Sequence, residues 1–270
     1  MNQVQRENAV AGTDHSLVAS ALSKVPQVTL VFWIIKILAT TLGETGGDAL
    51  SMTLKLGYGI STLIFLAFFS VTLFAQVGWK RYHPFLYWAV VVATTTVGTT
   101  TSDYLDRTLG LGYIKSSIML FCGVLAVLFV WHVSTGAIQF ENIATRQNEV
   151  FYWVTILVSN TLGTALGDFM ATSTGLGFQR GALIFGGLLA LVAAAHFFTK
   201  IPGSALFWTA YVLSRPLGAT VGDTLDKPRA EGGLAMGRIT ITIVLTALMV
   251  VGILWTSSRE RSDPTSRQEI

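Results

Sequence analysis

The sequence predicts an all-α polytopic membrane protein, with eight transmembrane helices built as four parallel two-helix repeats in two halves. Three observations predict it. Of 270 residues, 51% are hydrophobic and only 12% charged, about half the roughly 25% of an ordinary soluble chain. Residues 56–78, 116–140, 181–199 and 239–258 contain no Asp, Glu, Lys or Arg, and each meets the length of about 20 residues that a helix needs to cross the hydrocarbon core. These runs do not alternate polar with apolar residues, as barrel strands must. The third observation is an internal repeat.

Trp33, Trp88, Trp153 and Trp208 set its register. Ten residues after each lies a glycine (Gly43, Gly98, Gly163, Gly218), and fifteen after each an aspartate (Asp48, Asp103, Asp168, Asp223). Nine residues beyond each aspartate comes another glycine: Gly57, Gly112, Gly177, Gly232. The tryptophans are spaced 55, 65 and 55 apart, and "SDYLDR" at 102–107 resembles "GDTLDK" at 222–227. A doubled hairpin, doubled again, accounts for both facts. The repeats span about 27–80, 82–140, 147–200 and 202–256, within one transmembrane domain at 25–256.

The elements follow in order. Odd-numbered helices are expected near 27–47, 85–104, 150–169 and 205–224, and even ones near 57–77, 115–135, 178–198 and 236–256. Each copy contributes two crossings, so every copy enters from the same side and all four aspartates share one depth. Residues 1–24 and 257–270 read as polar tails; the first lacks the apolar core of a signal peptide.

Nine basic residues (Arg6, Lys24, Lys80, Arg81, Arg146, Lys200, Arg259, Arg261, Arg267) lie on the tail side. Seven (Lys55, Arg107, Lys115, Arg180, Lys227, Arg229, Arg238) lie on the aspartate side. This balance favours cytoplasmic termini. A net charge of +3 without a long basic block gives no reason to expect nucleic acid. The single cysteine, Cys122, excludes a disulfide framework.

Helical periodicity places positions +7, +11, +14, +15 and +18 after each tryptophan on one face, a sector of about 100°. Position +7 holds Thr40, Thr95, Asn160 and Arg215; +11 holds Glu44, Thr99, Thr164 and Ala219. Position +14 holds Gly47, Ser102, Gly167 and Gly222, and +18 adds Ser51, Asp106, Ala171 and Asp226. An Asp facing lipid at mid-depth costs about 2.5–3.5 kcal/mol. The stripes are therefore expected to face inward, giving a ring of odd helices around a polar cavity with the even helices outside. The competing expectation is packing alone: glycines let helices approach, and Thr hydroxyls bond back to their own helix.

Lys36 and Arg215 are expected to pair with the carboxylates or gate the site, and Pro216 to break or kink its helix. The odd-helix glycines are expected to allow unwound backbone. His132 and His196 lie away from the register and are not expected to bind haem. The tryptophans are expected to pack or to sit at the membrane interface.

Asp48, Asp103, Asp168 and Asp223, with Glu44, Asp106, Asp226, Thr95, Thr99, Asn160 and Thr164, form an oxygen-rich set suited to a hard divalent cation or to protons. The four aspartates are the candidate metal ligands. No catalytic triad, phosphate loop or zinc spacing is visible, so neither catalysis nor a bound cofactor is expected. The expected function is a secondary transporter exporting a small cation, with proton coupling; the alternative is a non-transporting membrane scaffold or sensor.

The fourfold Trp/Gly/Asp/Gly register, with two spans per copy, resembles a family of bacterial membrane proteins built from four copies of a short repeat of unknown function, often labelled uncharacterised membrane-anchored proteins. The resemblance covers about residues 27–256 and implies the fold and an inner-membrane location, but no activity. A fainter likeness is to cation/proton exchangers with the signature E-x-G-D. Here "ETGGD" at 44–48 has one extra residue, and the other copies lack the glutamate.

Overall fold

The computed structural model describes residues 26, 28–79, 82–136, 138 and 145–262. The amino-terminal tail at 1–24 and the basic residues Arg6, Lys24, Lys80, Arg81 and Arg267 lie outside them. Eight long helices and no strand occur among the described residues. They are α1 (Leu30–Asp48), α2 (Gly57–Gly78), α3 (Pro84–Asp103), α4 (Tyr113–Thr135), α5 (Arg146–Asp168), α6 (Gly177–Phe198), α7 (Gly203–Asp226) and α8 (Arg238–Ser262). The chain is all-α, as expected.

Local chemistry sets the helix ends. Thr29 and Thr145 cap α1 and α5 by accepting from the backbone N–H of Phe32 and Asn148. Pro84 occupies the first turn of α3, where its missing N–H costs nothing. Pro216 does not break its helix, the first of the two outcomes expected: α7 runs through it to Asp226. The carboxyl-terminal tail begins later than the sequence implies, because α8 continues to Ser262.

The odd helices close into a ring. α1 packs on α3, α3 on α5, α5 on α7, and α7 on α1. The even helices lie outside, and each packs on the inner helix of the next repeat: α2 on α3, α4 on α5, α6 on α7, and α8 back on α1. Every repeat is thereby clasped by its predecessor.

The repeated glycines account for the close approach within the ring. The +10 glycine of each repeat receives the +7 side chain of the next. A Cβ on Gly43 would overlap Thr95, one on Gly163 would overlap Arg215, and one on Gly218 would overlap Thr40; on Gly98 it would stand 3.0 Å from Thr161 N and 3.3 Å from Asn160 Cβ. One turn on, Gly47 receives Thr99, Gly167 receives Ala219, and Gly222 receives Glu44. These i,i+4 ridges are the packing device. The helices stay continuous at these glycines, so the expected unwound backbone is absent and close approach is their role. The glycines nine residues past the aspartates work differently: Gly57, Gly112, Gly177 and Gly232 have φ of 75°, 72°, 77° and 85°, a region that disfavours any Cβ.

Near the tryptophans the ring is plugged by aromatic rings. Phe32 meets Trp88, Tyr87 meets Trp153, Tyr152 meets Trp208, and Phe207 meets both Phe32 and Trp33. Trp88 and Trp153 are buried and pack within this aromatic layer.

The outer helices turn large apolar side chains outward, among them Leu63, Phe74, Phe129, Leu183 and Leu191. Faces of this extent mark contact with lipid or partners. Six helices are long and apolar enough to cross a membrane; α3 and α7 are not among them. The reason is their place in the ring: α3 carries a buried threonine run and α7 the buried Arg215, Asp223 and Asp226.

Candidate functional site

The ring axis carries charge in layers. In the first three repeats the aspartate is the last residue of its α-helix, followed by a π-helical turn: Ala49–Thr53, Tyr104–Thr108 and Phe169–Ser173. Such turns recur at functional sites because the wider coil re-aims side chains. In the fourth repeat α7 continues to Asp226, and a short 3₁₀ turn at Arg229–Glu231 follows.

Asp48, Asp103, Asp168 and Asp223 are each no more than 2% exposed. Two cations divide them into pairs. Arg107 Nε lies 3.0 Å from Asp103 Oδ1, and its Nη2 lies 3.6 Å from Asp168 Oδ2. Lys227 Nζ lies 2.6 Å from Asp48 Oδ2 and 3.1 Å from Asp223 Oδ1. Both cations stand nineteen residues after their tryptophans, in "SDYLDR" and "GDTLDK", and each bridges its own aspartate to that of the next repeat. The halves thus repeat the same arrangement across the axis. Burial works against the Lys227 ammonium, but Asp223, Asp48 and Asp226 outweigh it and hold its pKa well above the usual lysine value.

The +18 acids extend the cluster. Arg238 Nε reaches Asp226 Oδ2 at 3.3 Å and Asp48 Oδ2 at 3.6 Å, and Asp106 accepts from Ser102 Oγ at 3.3 Å. Asp48, Asp223 and Asp226 present carboxylate oxygens within 4.8 Å of one another. That is the grouping able to share an ion, rather than the four sibling aspartates together.

One layer down, Arg215 fills the axis and is fully buried. Its Nη2 donates to Glu44 Oε2 at 3.0 Å, Thr99 Oγ1 at 2.5 Å and Thr164 Oγ1 at 2.6 Å. Thr99 also donates to Glu44 at 3.2 Å. The surrounding hydroxyls staple helices together: Thr40 donates to the Ser214 carbonyl and Thr95 to that of Ala39, each at 3.2 Å, while Asn160 Nδ2 donates to Thr94 Oγ1 at 3.0 Å.

Lys36 departs from expectation. It pairs with no carboxylate: its Nζ stands 3.9 Å from the centroid of the Tyr211 ring, without a hydrogen-bond partner. Glu44 lies two turns away and is held by Arg215. His132 and His196, near the far ends of α4 and α6, are not part of the cluster. The expected polar cavity is instead filled by ion-paired side chains, and two clefts lie elsewhere. One, of about 300 Å³, is lined by Thr29, Phe32, Trp88 and Arg259; the other, of about 470 Å³, lies between α1 and α8.

Arg107, Lys227 and Arg238 are the members of this cluster that sequence reasoning did not single out. The signal was present in D-x-x-x-[RK], since Asp103–Arg107 and Asp223–Lys227 are i,i+4 pairs.

A ring of four inner helices, closed around buried ion pairs and sheathed by apolar helices, defines a multi-spanning type of helical membrane protein. The chain belongs to the family defined by the repeat of unknown function DUF347, which matches four times, at residues 31–82, 86–137, 151–201 and 206–262. No curated protein and no solved structure matches it.

Proposed function

We propose that this protein is a secondary transporter for a small cation, and that cation and protons exchange at the acid cluster. In this reading all eight helices cross the bacterial inner membrane, with α3 and α7 shielded inside the ring and both termini cytoplasmic. The protein is not an enzyme.

One observation carries the reading. Seven carboxylates gather at one end of the axis: Glu44, Asp48, Asp103, Asp106, Asp168, Asp223 and Asp226. They meet four cations there, Arg107, Arg215, Lys227 and Arg238. Seven less four leaves three negative charges, which only protons or an entering cation can balance. Buried charge without a partner costs several kcal/mol, and a purely structural network is expected to close its own balance.

The chemistry of the donors supports a hard divalent cation, since oxygens of Asp48, Asp223 and Asp226 suit Mg²⁺, Mn²⁺ or Ca²⁺. Lys227 acts in this account as the internal counterion that the substrate displaces. Arg215 cannot lose its proton; while it is paired with Glu44 its charge closes the axis toward the tryptophans, as cationic constrictions do in selective pores, so the transport cycle in this account moves it aside.

The test is Mn²⁺ flux into proteoliposomes, read by a trapped dye, for the wild type and for Asp48→Asn, Asp103→Asn, Asp168→Asn and Asp223→Asn. Flux in the wild type that is lost in the variants supports the reading. Equal flux in all five proteins removes the site assignment. No flux of Mn²⁺, Mg²⁺ or Ca²⁺ in the wild type turns the reading to a scaffold or sensor.

A further inference from the structure

The axis holds a second ionisable layer, separated from the acids by Arg215. Three residues after each tryptophan stand Lys36, Val91, Ile156 and Tyr211, all essentially buried. Lys36 Nζ rests on the Tyr211 ring and has no hydrogen-bond acceptor, and the Tyr211 hydroxyl has no partner either. Nearer the tryptophans, the Tyr87 and Tyr152 hydroxyls lie 3.5 Å apart.

We propose that Lys36 is a proton-binding site on the tryptophan side of the ring, loaded and emptied as that end opens to water. This rests on the transporter reading and names the proton as its coupling ion.

The groups facing Lys36 define what it can do. α7 brings Tyr211 and, within electrostatic reach, Arg215. α3 brings Tyr87 and, across the ring, α5 brings Tyr152 to the layer below. α8 meets this part of α1 through Gly252 against Ile35. Among the described residues no anion is free to balance an ammonium here, since Glu44 is held by Arg215. A cation–π contact returns less than the charged form forgoes in lost hydration. The amine forgoes little.

A lysine placed this way changes charge with the wetness of its layer, which is the property that makes buried lysines proton carriers. The step is simple: the Nζ lone pair takes one proton from a hydronium in the entering water, an O–H bond breaking as the N–H bond forms, and the reverse transfer later returns that proton to water. A proton on Lys36 sets a second positive charge beneath Arg215 and loosens the Arg215–Glu44 pair. Loading at one end is thereby felt at the acid cluster.

The experiment is ¹⁵N-lysine NMR of the full-length protein in lipid nanodiscs across a pH series, with Lys36→Met and Lys36→Gln to assign the Lys36 signal. Should one variant fail to fold, the other makes the assignment. The expected result is a Lys36 resonance that moves from ammonium to amine within the pH series and that is lost in the variants. A Lys36 signal that stays ammonium throughout overturns the proposal. The outcome is independent of flux: titration without Mn²⁺ transport keeps the proton site and removes the transporter, while transport without titration does the reverse.

Discussion

Replacing Arg215 by methionine is the sharpest perturbation of the axis. The guanidinium is fully buried and supplies a donor to Glu44, Thr99 and Thr164 from α1, α3 and α5. Its removal leaves Glu44, 2% exposed, with Thr99 as its remaining side-chain donor. Breaking a buried pair from one side costs about 3–5 kcal/mol, because a charge is left uncompensated. Polar contacts in membranes measure smaller than in water-soluble cores, so about 3 kcal/mol is the expected loss. The double variant Arg215→Met/Glu44→Gln removes both charges and is expected to recover about 2 kcal/mol of it, a coupling well above the error of such cycles. Reversible unfolding in mixed micelles, followed by circular dichroism, gives all four corners. A loss below about 1 kcal/mol for Arg215→Met, or strictly additive costs, would refute the argument that this pair is desolvated and mutually dependent.

Three further outcomes follow from the packing. Gly218→Ala drives a methyl into Thr40 and is expected to cost about 1–3 kcal/mol, whereas Gly187→Ala on α6, with open space around it, is expected to be neutral or slightly stabilising; the same unfolding assay compares them. Gly112 sits at φ 72°, ψ 155°, a conformation essentially reserved for glycine, so Gly112→Ala is expected to cost about 1–3 kcal/mol, and an unchanged midpoint would contradict the turn geometry. Cys122 lies on the outer face of α4; if that face meets lipid, a charged maleimide labels it in detergent-denatured protein but not in sealed membranes, and rapid labelling in membranes would place the face in water.

Much of the ring was legible because the repeat fixes which residues share a depth and helical periodicity fixes which share a face. The inward stripes of Thr95, Thr99, Asn160 and Thr164 follow from those two facts alone. Partner choice was not legible. Arg107 and Lys227 occur in only two of the four copies, where they read as loop charges; the π turn after Asp103 and the continuation of α7 to Asp226 bring them inward. Lys36 is buried inside the ring, but periodicity does not reveal that Arg215, one turn above, already holds Glu44. Hydropathy likewise undervalues α3 and α7, since it measures fitness for lipid and these helices meet protein on most sides.

Convergence of aspartates from distant repeats is tested most directly by cross-linking across the two halves. In a Cys122→Ala background, Asp48→Cys and Asp223→Cys are combined, and a protease site is inserted in the 139–144 segment. Both native carboxylates touch the same Lys227 ammonium. Oxidation or a short thiol-bridging reagent is therefore predicted to keep the cleaved halves together on a denaturing gel, while a control pair at Leu63 and Leu191, on outward faces of α2 and α6, lets them separate. Halves that part in the Asp48/Asp223 variant as freely as in the control would contradict a shared acid site.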